Sequence, residues 1–191
     1  MKGLKEIATW KTIIFLFIID SLFTFHVFKI KNEIYKLLGG KVVFLEEKFS
    51  YDYFDVLKQF KMLGNEGMYM YSKVFSGVYT IYPFIHGVLY FLLLVMLLKK
   101  LFPKNIQISY WIVIPVVIFH SLENFLLLNL LQSHLNISTI QVFISSLVTQ
   151  LKWIGTMIMF LTTTVLFTLF LIRTYAKNRE INFLRILEIK R

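Results

Sequence analysis

The sequence predicts an all-α, polytopic membrane protein: four transmembrane helices in one bundle, with a helical outer loop over one end. Three observations carry this expectation. Of 191 residues, 57% are hydrophobic and 17% aromatic, which leaves too little polar side chain to cover a water-facing surface. Four apolar runs approach or exceed the roughly 20 residues a helix needs to cross a hydrocarbon core about 30 Å thick. None of the four alternates polar and apolar residues like a barrel strand. In lipid, a backbone outside a closed barrel satisfies its N–H and C=O groups only as a helix.

The spans fall at 12–30, 75–98, 109–131 and 150–173, with an outer loop at 31–74 and a cytoplasmic tail at 174–191, all within one membrane domain, 1–191. The first span follows Lys2, Lys5 and Lys11, as a signal peptide would, but leads into His26, Phe28 and Lys29 with no small-residue cleavage site, so it reads as a retained helix. The loop is too long to be structureless. Phe54, Leu57, Lys58 and Phe60 recur at near-helical spacing, and Gly64 supplies a stop. Asn65 and Glu66 then open a further helix that runs through Tyr69, Tyr71 and Tyr79 into the second span. Pro83 removes one hydrogen bond from that span and kinks it. The fourth span ends at Ile172, before Arg173, and starts somewhere between Ile140 and Trp153. Beyond it, Ile181, Phe183, Leu184, Ile186 and Leu187 alternate with basic residues as in an amphipathic helix on an anionic leaflet.

The net charge of +10 reads as topology and not as a nucleic-acid surface, because the Lys and Arg residues gather at the ends of the spans. Lys2, Lys5 and Lys11, then Lys99, Lys100 and Lys104, then Arg173, Lys177 and Arg179 share one side, whereas 132–139 holds neither Lys nor Arg. Both termini are therefore expected in the cytoplasm of a cell-membrane protein. The absence of cysteine removes disulfides, thiolate metal sites and cysteine nucleophiles. Asn136-Ile137-Ser138 matches the N-glycosylation pattern, which matters only in a secretory-pathway host.

Ionisable side chains inside a span are costly, and each is a candidate functional residue. His26 and Asn129 are among the polar side chains of the spans, and the candidate site is Asp20, His86, His120, Glu123 and Lys152, with Asn124 adding uncharged polarity. His120 and Glu123 share a helix face. If the fourth helix starts near Ile140, Lys152 lies inside the bilayer and Glu123 is its partner. If it starts at Trp153, Lys152 is an interfacial anchor. His86 and His120 come out at similar depth on antiparallel helices, the arrangement a bis-histidine haem uses, and with Glu123 they offer a metal-site alternative. The bland reading is that each histidine bonds a neighbouring helix and binds nothing, with no cofactor at all. No phosphate loop, zinc-protease helix or nucleophile elbow is present.

Leu63-Gly64-Asn65-Glu66-Gly67-Met68, Tyr82-Pro83, Gly87, Leu122-Glu123-Asn124 and Leu151-Lys152-Trp153 occur in that order. With these motifs the chain resembles a group of bacterial four-helix membrane proteins that carry an outer Leu-Gly-x-Glu-Gly-Arg turn. Met68 stands where the group has arginine and His120 where it has an acid. The resemblance implies topology and the same polar positions, and no activity. A looser likeness, at the level of fold, is to the sterol-isomerase and sigma-2-receptor type. The leading functional expectation is a non-catalytic protein that binds a small lipid-like ligand or supports a membrane partner. The alternatives are a haem- or metal-binding redox protein or membrane-embedded enzyme using His86, His120 and Glu123, and a small proton-coupled transporter.

Overall fold

The computed structural model of the chain describes residues 2–40 and 42–189, and the side chains of 3, 6–40 and 42–177. Among the described residues every regular element is helical: α1 (Lys2–Ile7), α2 (Trp10–Leu38), a 3-10 turn (Leu45–Glu47), α3 (Tyr53–Ser76), α4 (Val78–Leu101), α5 (Ile108–Gln132) and α6 (Thr139–Ile189). Four stretches, Trp10–Leu38, Tyr53–Leu101, Ile108–Gln132 and Thr139–Lys177, are long and apolar enough to cross a membrane. The architecture is an all-α four-helix membrane bundle.

Two boundaries differ from the sequence reading, each for a local reason. The first helix does not stop at residue 30 but runs to Leu38, where Gly39 takes the left-handed conformation at φ 66° and closes it. The polar stretch from Lys29 to Lys36 stays helical because Ile34 is fully buried and Lys31 finds carboxylates. The fourth helix begins at Thr139, well before residue 150, because Ser138 and Gln141 form a reciprocal cap: Gln141 N–H donates to Ser138 Oγ at 3.2 Å and Ser138 N–H to Gln141 Oε1 at 2.9 Å. The outer loop of 31–74 is largely helical, as the sequence reading expects. Asp52 caps α3 through the Asp55 N–H, at 2.8 Å, and Gly64 breaks α3 in its middle at φ 60°, ψ −175°. Gly77 then separates α3 from α4. The backbone of α6 continues to Ile189, while the amphipathic pattern proposed for its tail falls on side chains outside those described.

Helix α5 sits between α4 and α6, and small residues bring it close to both. A Cβ on Gly87 would lie 2.3 Å from Val117 Cγ2, and one on Gly155 would lie 3.0 Å from Val116 Cγ2. Helix α4 also packs against α2, so it lies between α2 and α6, which touch each other little. At one end, residues 42–77 fold over the bundle as a cap, burying Phe44, Leu45, Val56, Tyr71 and Phe75 against Ile34 and Leu127. Each such side chain removed from water contributes about 1.5–3 kcal/mol. At the opposite end Leu94, Leu97, Val113 and Met159 form a second core.

Pro83 has no N–H, so the Tyr79 carbonyl four residues earlier loses its helical donor. Asn124 of α5 fills that role, its Nδ2 lying 2.6 Å from Tyr79 O.

Candidate functional site

The early start of α6 decides the environment of Lys152. It lies about 20 Å along the helix axis, buried, with Nζ 2.8 Å from Oε1 of Glu123, whose side chain is wholly inaccessible. The same ammonium donates to the Glu46 carbonyl at 2.9 Å. That contact exists because the segment after the 3-10 turn dips between the helices and lies along one face of α6. Trp153 Nε1 donates to Lys48 O at 3.0 Å, Tyr51 N–H donates to Ser146 Oγ at 3.0 Å, and Tyr51 Oη lies 2.6 Å from Ser145 Oγ. The α6 positions 145, 146, 149, 152 and 153 fall on one helical stripe: 146, 152 and 153 satisfy backbone groups of residues 46–51, and 145 and 149 meet the Tyr51 hydroxyl. Burial pushes the Tyr51 phenol up to about 12, although the hydroxyls of Ser145 and Thr149 pull it back.

A second charged group adjoins the first through Glu46. Lys31 Nζ lies 2.7 Å from Glu46 Oε1 and 2.6 Å from Glu47 Oε1, and the Tyr71 hydroxyl donates to the other Glu46 oxygen. None of Lys31, Glu46, Tyr71 and Tyr51 stood out in the sequence. Glu46 sits in a run of mixed charges that reads as solvated loop, and only the fold-back of 42–51 brings it to Lys31. Two ion-pair groups, Glu47–Lys31–Glu46 and Lys152–Glu123, are thus joined through the Glu46 backbone carbonyl and tie the cap to the membrane helices.

The remaining polar residues form a separate site. His86 Nδ1 lies 3.0 Å from Asp20 Oδ1, joining α4 to α2, and Tyr82 Oη is 3.4 Å from the same nitrogen. Thr24 Oγ1 donates to the Asp20 carbonyl at 2.9 Å. His120 packs edge-on against the Tyr82 ring at 5.8 Å, and His86 lies against that ring at 5.3 Å. The two histidines therefore share a tyrosine as neighbour. Among the described residues no three His, Asp or Glu side chains converge in a way that would hold a metal ion. The six polar residues singled out from the sequence divide into Glu123 with Lys152, Asn124 on the Tyr79 carbonyl, and Asp20 with His86, His120 standing beside the last pair.

His86 also faces a cavity of about 540 Å³. Helix α4 contributes His86 and Tyr90, α6 contributes Trp153, Thr156, Met157, Met159 and Phe160, the 3-10 turn contributes Glu47, and the segment after it contributes Phe49. The groove lies over α4 on the side where α2 and α6 stay apart. Aromatic and thioether side chains wall it, the cap closes one end, and a few polar atoms point in, the usual composition of a small-molecule site. No family model, curated protein or solved structure matches the chain.

Proposed function

We infer that the chain is a non-catalytic membrane protein that holds one small amphipathic, lipid-like molecule in the groove between α4 and α6. The observation that carries this reading is the groove itself: apolar walls of Phe49, Trp153, Met157 and Phe160 around the polar atoms of His86, Tyr90 and Glu47. An amphiphile places its chain against the first set and its head against the second. The test is native mass spectrometry of protein purified in mild detergent. A retained lipid of defined mass, lost when Thr156 and Met157 are both changed to Trp, supports the reading, and protein that carries no adduct in either form overturns it.

Both termini and the 102–107 connection belong on the cytoplasmic side of the cell membrane, and the cap on the outer side. The concentration of Lys and Arg at the termini and at 99–104, against none in 132–139, supports this orientation. Because the chain has no cysteine, single cysteines report it directly. An impermeant maleimide added to intact cells labels Leu135→Cys, which is 84% exposed, and leaves Lys104→Cys unlabelled. The reverse pattern inverts the topology. The shared Leu-Gly-x-Glu-Gly, Tyr-Pro, Leu-Glu-Asn and Leu-Lys-Trp segments favour kinship with the bacterial four-helix group.

A second reading is favoured by the Asp20–His86 contact. A carboxylate on one imidazole nitrogen orients a general base, so a membrane-embedded proton-transfer enzyme uses the same groove. Turnover of the bound lipid, abolished by His86→Gln, would distinguish it from simple binding.

A further inference from the structure

We propose that the ligand is a neutral lipid alcohol, a long-chain or polycyclic molecule whose only polar head is a hydroxyl, and that this hydroxyl donates a hydrogen bond to Nε2 of His86. The proposal rests on the groove reading above and names the class of ligand it holds.

The acceptor follows from the tautomer. A carboxylate oxygen accepts hydrogen bonds, so with Asp20 Oδ1 at 3.0 Å from Nδ1 the neutral imidazole carries its hydrogen on Nδ1 and a lone pair on Nε2. Among the described residues no hydrogen bond uses that nitrogen, while His86 lines the groove. Tyr90 lines the same space, and its hydroxyl is a donor of the kind the ligand oxygen would take in return.

The charges around the groove exclude the other common lipid heads. A phosphate or carboxylate head needs a free cation, and the lysines next to the lining residues each have an acid in contact: Lys48, beside Glu47 and Phe49, with Asp55, Lys152, beside Trp153, with Glu123, and Lys31 with Glu46 and Glu47. Asp20, in contact with His86, opposes an anion there. A cationic head finds no better place. The Glu47 carboxylate is held by Lys31 at 2.6 Å, and the ring of Trp153, the natural cation–π surface of the wall, already lies 4.6 Å from the protein's own Lys152 ammonium. What remains is one uncharged acceptor at the end of an apolar slot, which fits one hydroxyl.

The experiment uses Trp153 as reporter, in full-length protein carrying Trp10→Phe and Trp111→Phe and reconstituted in nanodiscs. Three brominated quenchers with the same chain are titrated in: a fatty alcohol, a fatty acid and a phosphatidylcholine. The expected result is saturable quenching by the alcohol at a mole fraction about tenfold below that of the other two, the discrimination expected of one buried hydrogen bond. His86→Leu abolishes this preference. His86→Gln, which keeps an amide N–H for Asp20 and a carbonyl for the ligand, restores part of it, so that a general packing defect at position 86 is recognised. Equal saturation by acid or phospholipid, or an unchanged alcohol curve in His86→Leu, overturns the proposal and leaves the groove reading standing. Quenching that rises linearly with all three, as for bulk lipid, overturns both.

Discussion

Asn124 of α5 gives its amide to the Tyr79 carbonyl, 2.6 Å away, the one carbonyl that Pro83 leaves without a helical donor. Two residues that each weaken a helix are thereby matched across an interface: proline removes a donor, and asparagine on the neighbouring helix supplies one. This predicts a specific non-additivity. Asn124→Leu strands a buried carbonyl and costs about 1–3 kcal/mol. With Pro83→Ala in the background, residue 83 regains its N–H, α4 closes its own bond, and Asn124→Leu costs well under half as much. Thermal unfolding of the four proteins in one detergent measures the coupling; equal costs in both backgrounds would show that the Tyr79 carbonyl is not what Asn124 serves.

The Lys152–Glu123 pair predicts a different pattern. Removing one member of a buried pair leaves a charge in a low dielectric and costs about 3–5 kcal/mol, whereas replacing both with apolar groups of similar volume is often close to neutral. The Glu123 side chain is wholly inaccessible, and Lys152 is the one cation in contact with it among the described residues, so no other positive charge offsets it once Lys152 is gone. Lys152→Met and Glu123→Met should each unfold at much lower temperature than the parent, and the double variant should lie between the parent and both singles. It should not recover fully, because the Glu46 carbonyl also loses its donor. A double variant less stable than either single would contradict the account.

The spans were legible because composition and length act on every residue of them at once, and a membrane helix has few alternatives. Their ends were less so. The start of α6 was written in Ser138-x-x-Gln141, a capping pattern, yet the same stretch also reads as a glycosylation triplet and precedes a polar turn of helix. The C-terminal extension of α2 was hidden because Lys29, Lys31, Glu33 and Lys36 look solvated until the cap folds onto them. Of the site, Glu123 and Lys152 were visible as charges in apolar runs. Glu46 and Lys31 were not, since their partnership depends on a chain reversal through Gly39 and Gly40 that no helical period encodes. Asp20 and His86 were visible singly, but their pairing depends on which faces of α2 and α4 meet.

Tyr51 gives the cap a dependence on alkaline pH. Its phenol ionises near 12 in the folded protein and near 10 once exposed, so between those values the unfolded form has released a proton that the folded form retains. Stability contributed by this group is complete below about pH 10 and falls by about 1.4 kcal/mol per unit as pH rises toward 12. Tyr51→Phe loses the Ser145 contact and costs about 1 kcal/mol at neutral pH, yet it should flatten the decline between pH 10 and 12. Chemical denaturation of both proteins across that range reads the two slopes; identical slopes would place the Tyr51 hydroxyl in water.

Gly87 tests how tightly the helix contacts hold the groove. A Cβ there meets Val117 Cγ2 at 2.3 Å, and a β-branched side chain on a helix has essentially one rotamer in which to stand, so Val117 cannot swing aside. Alanine gains up to about 1 kcal/mol in helix propensity over glycine, while overpacking of this kind costs about 1–3 kcal/mol. The clash decides the sign, and Gly87→Ala should destabilise. Val117→Ala removes the offending methyl and should rescue Gly87→Ala, whereas Gly155→Ala, with its nearest methyl at 3.0 Å, should be tolerated far better. Because Gly87 adjoins His86, the displaced α4 should also stretch the Asp20–His86 contact. The same Gly87→Ala protein should therefore show weaker saturable quenching of Trp153 by the brominated alcohol, and the Val117→Ala rescue should restore stability and quenching together.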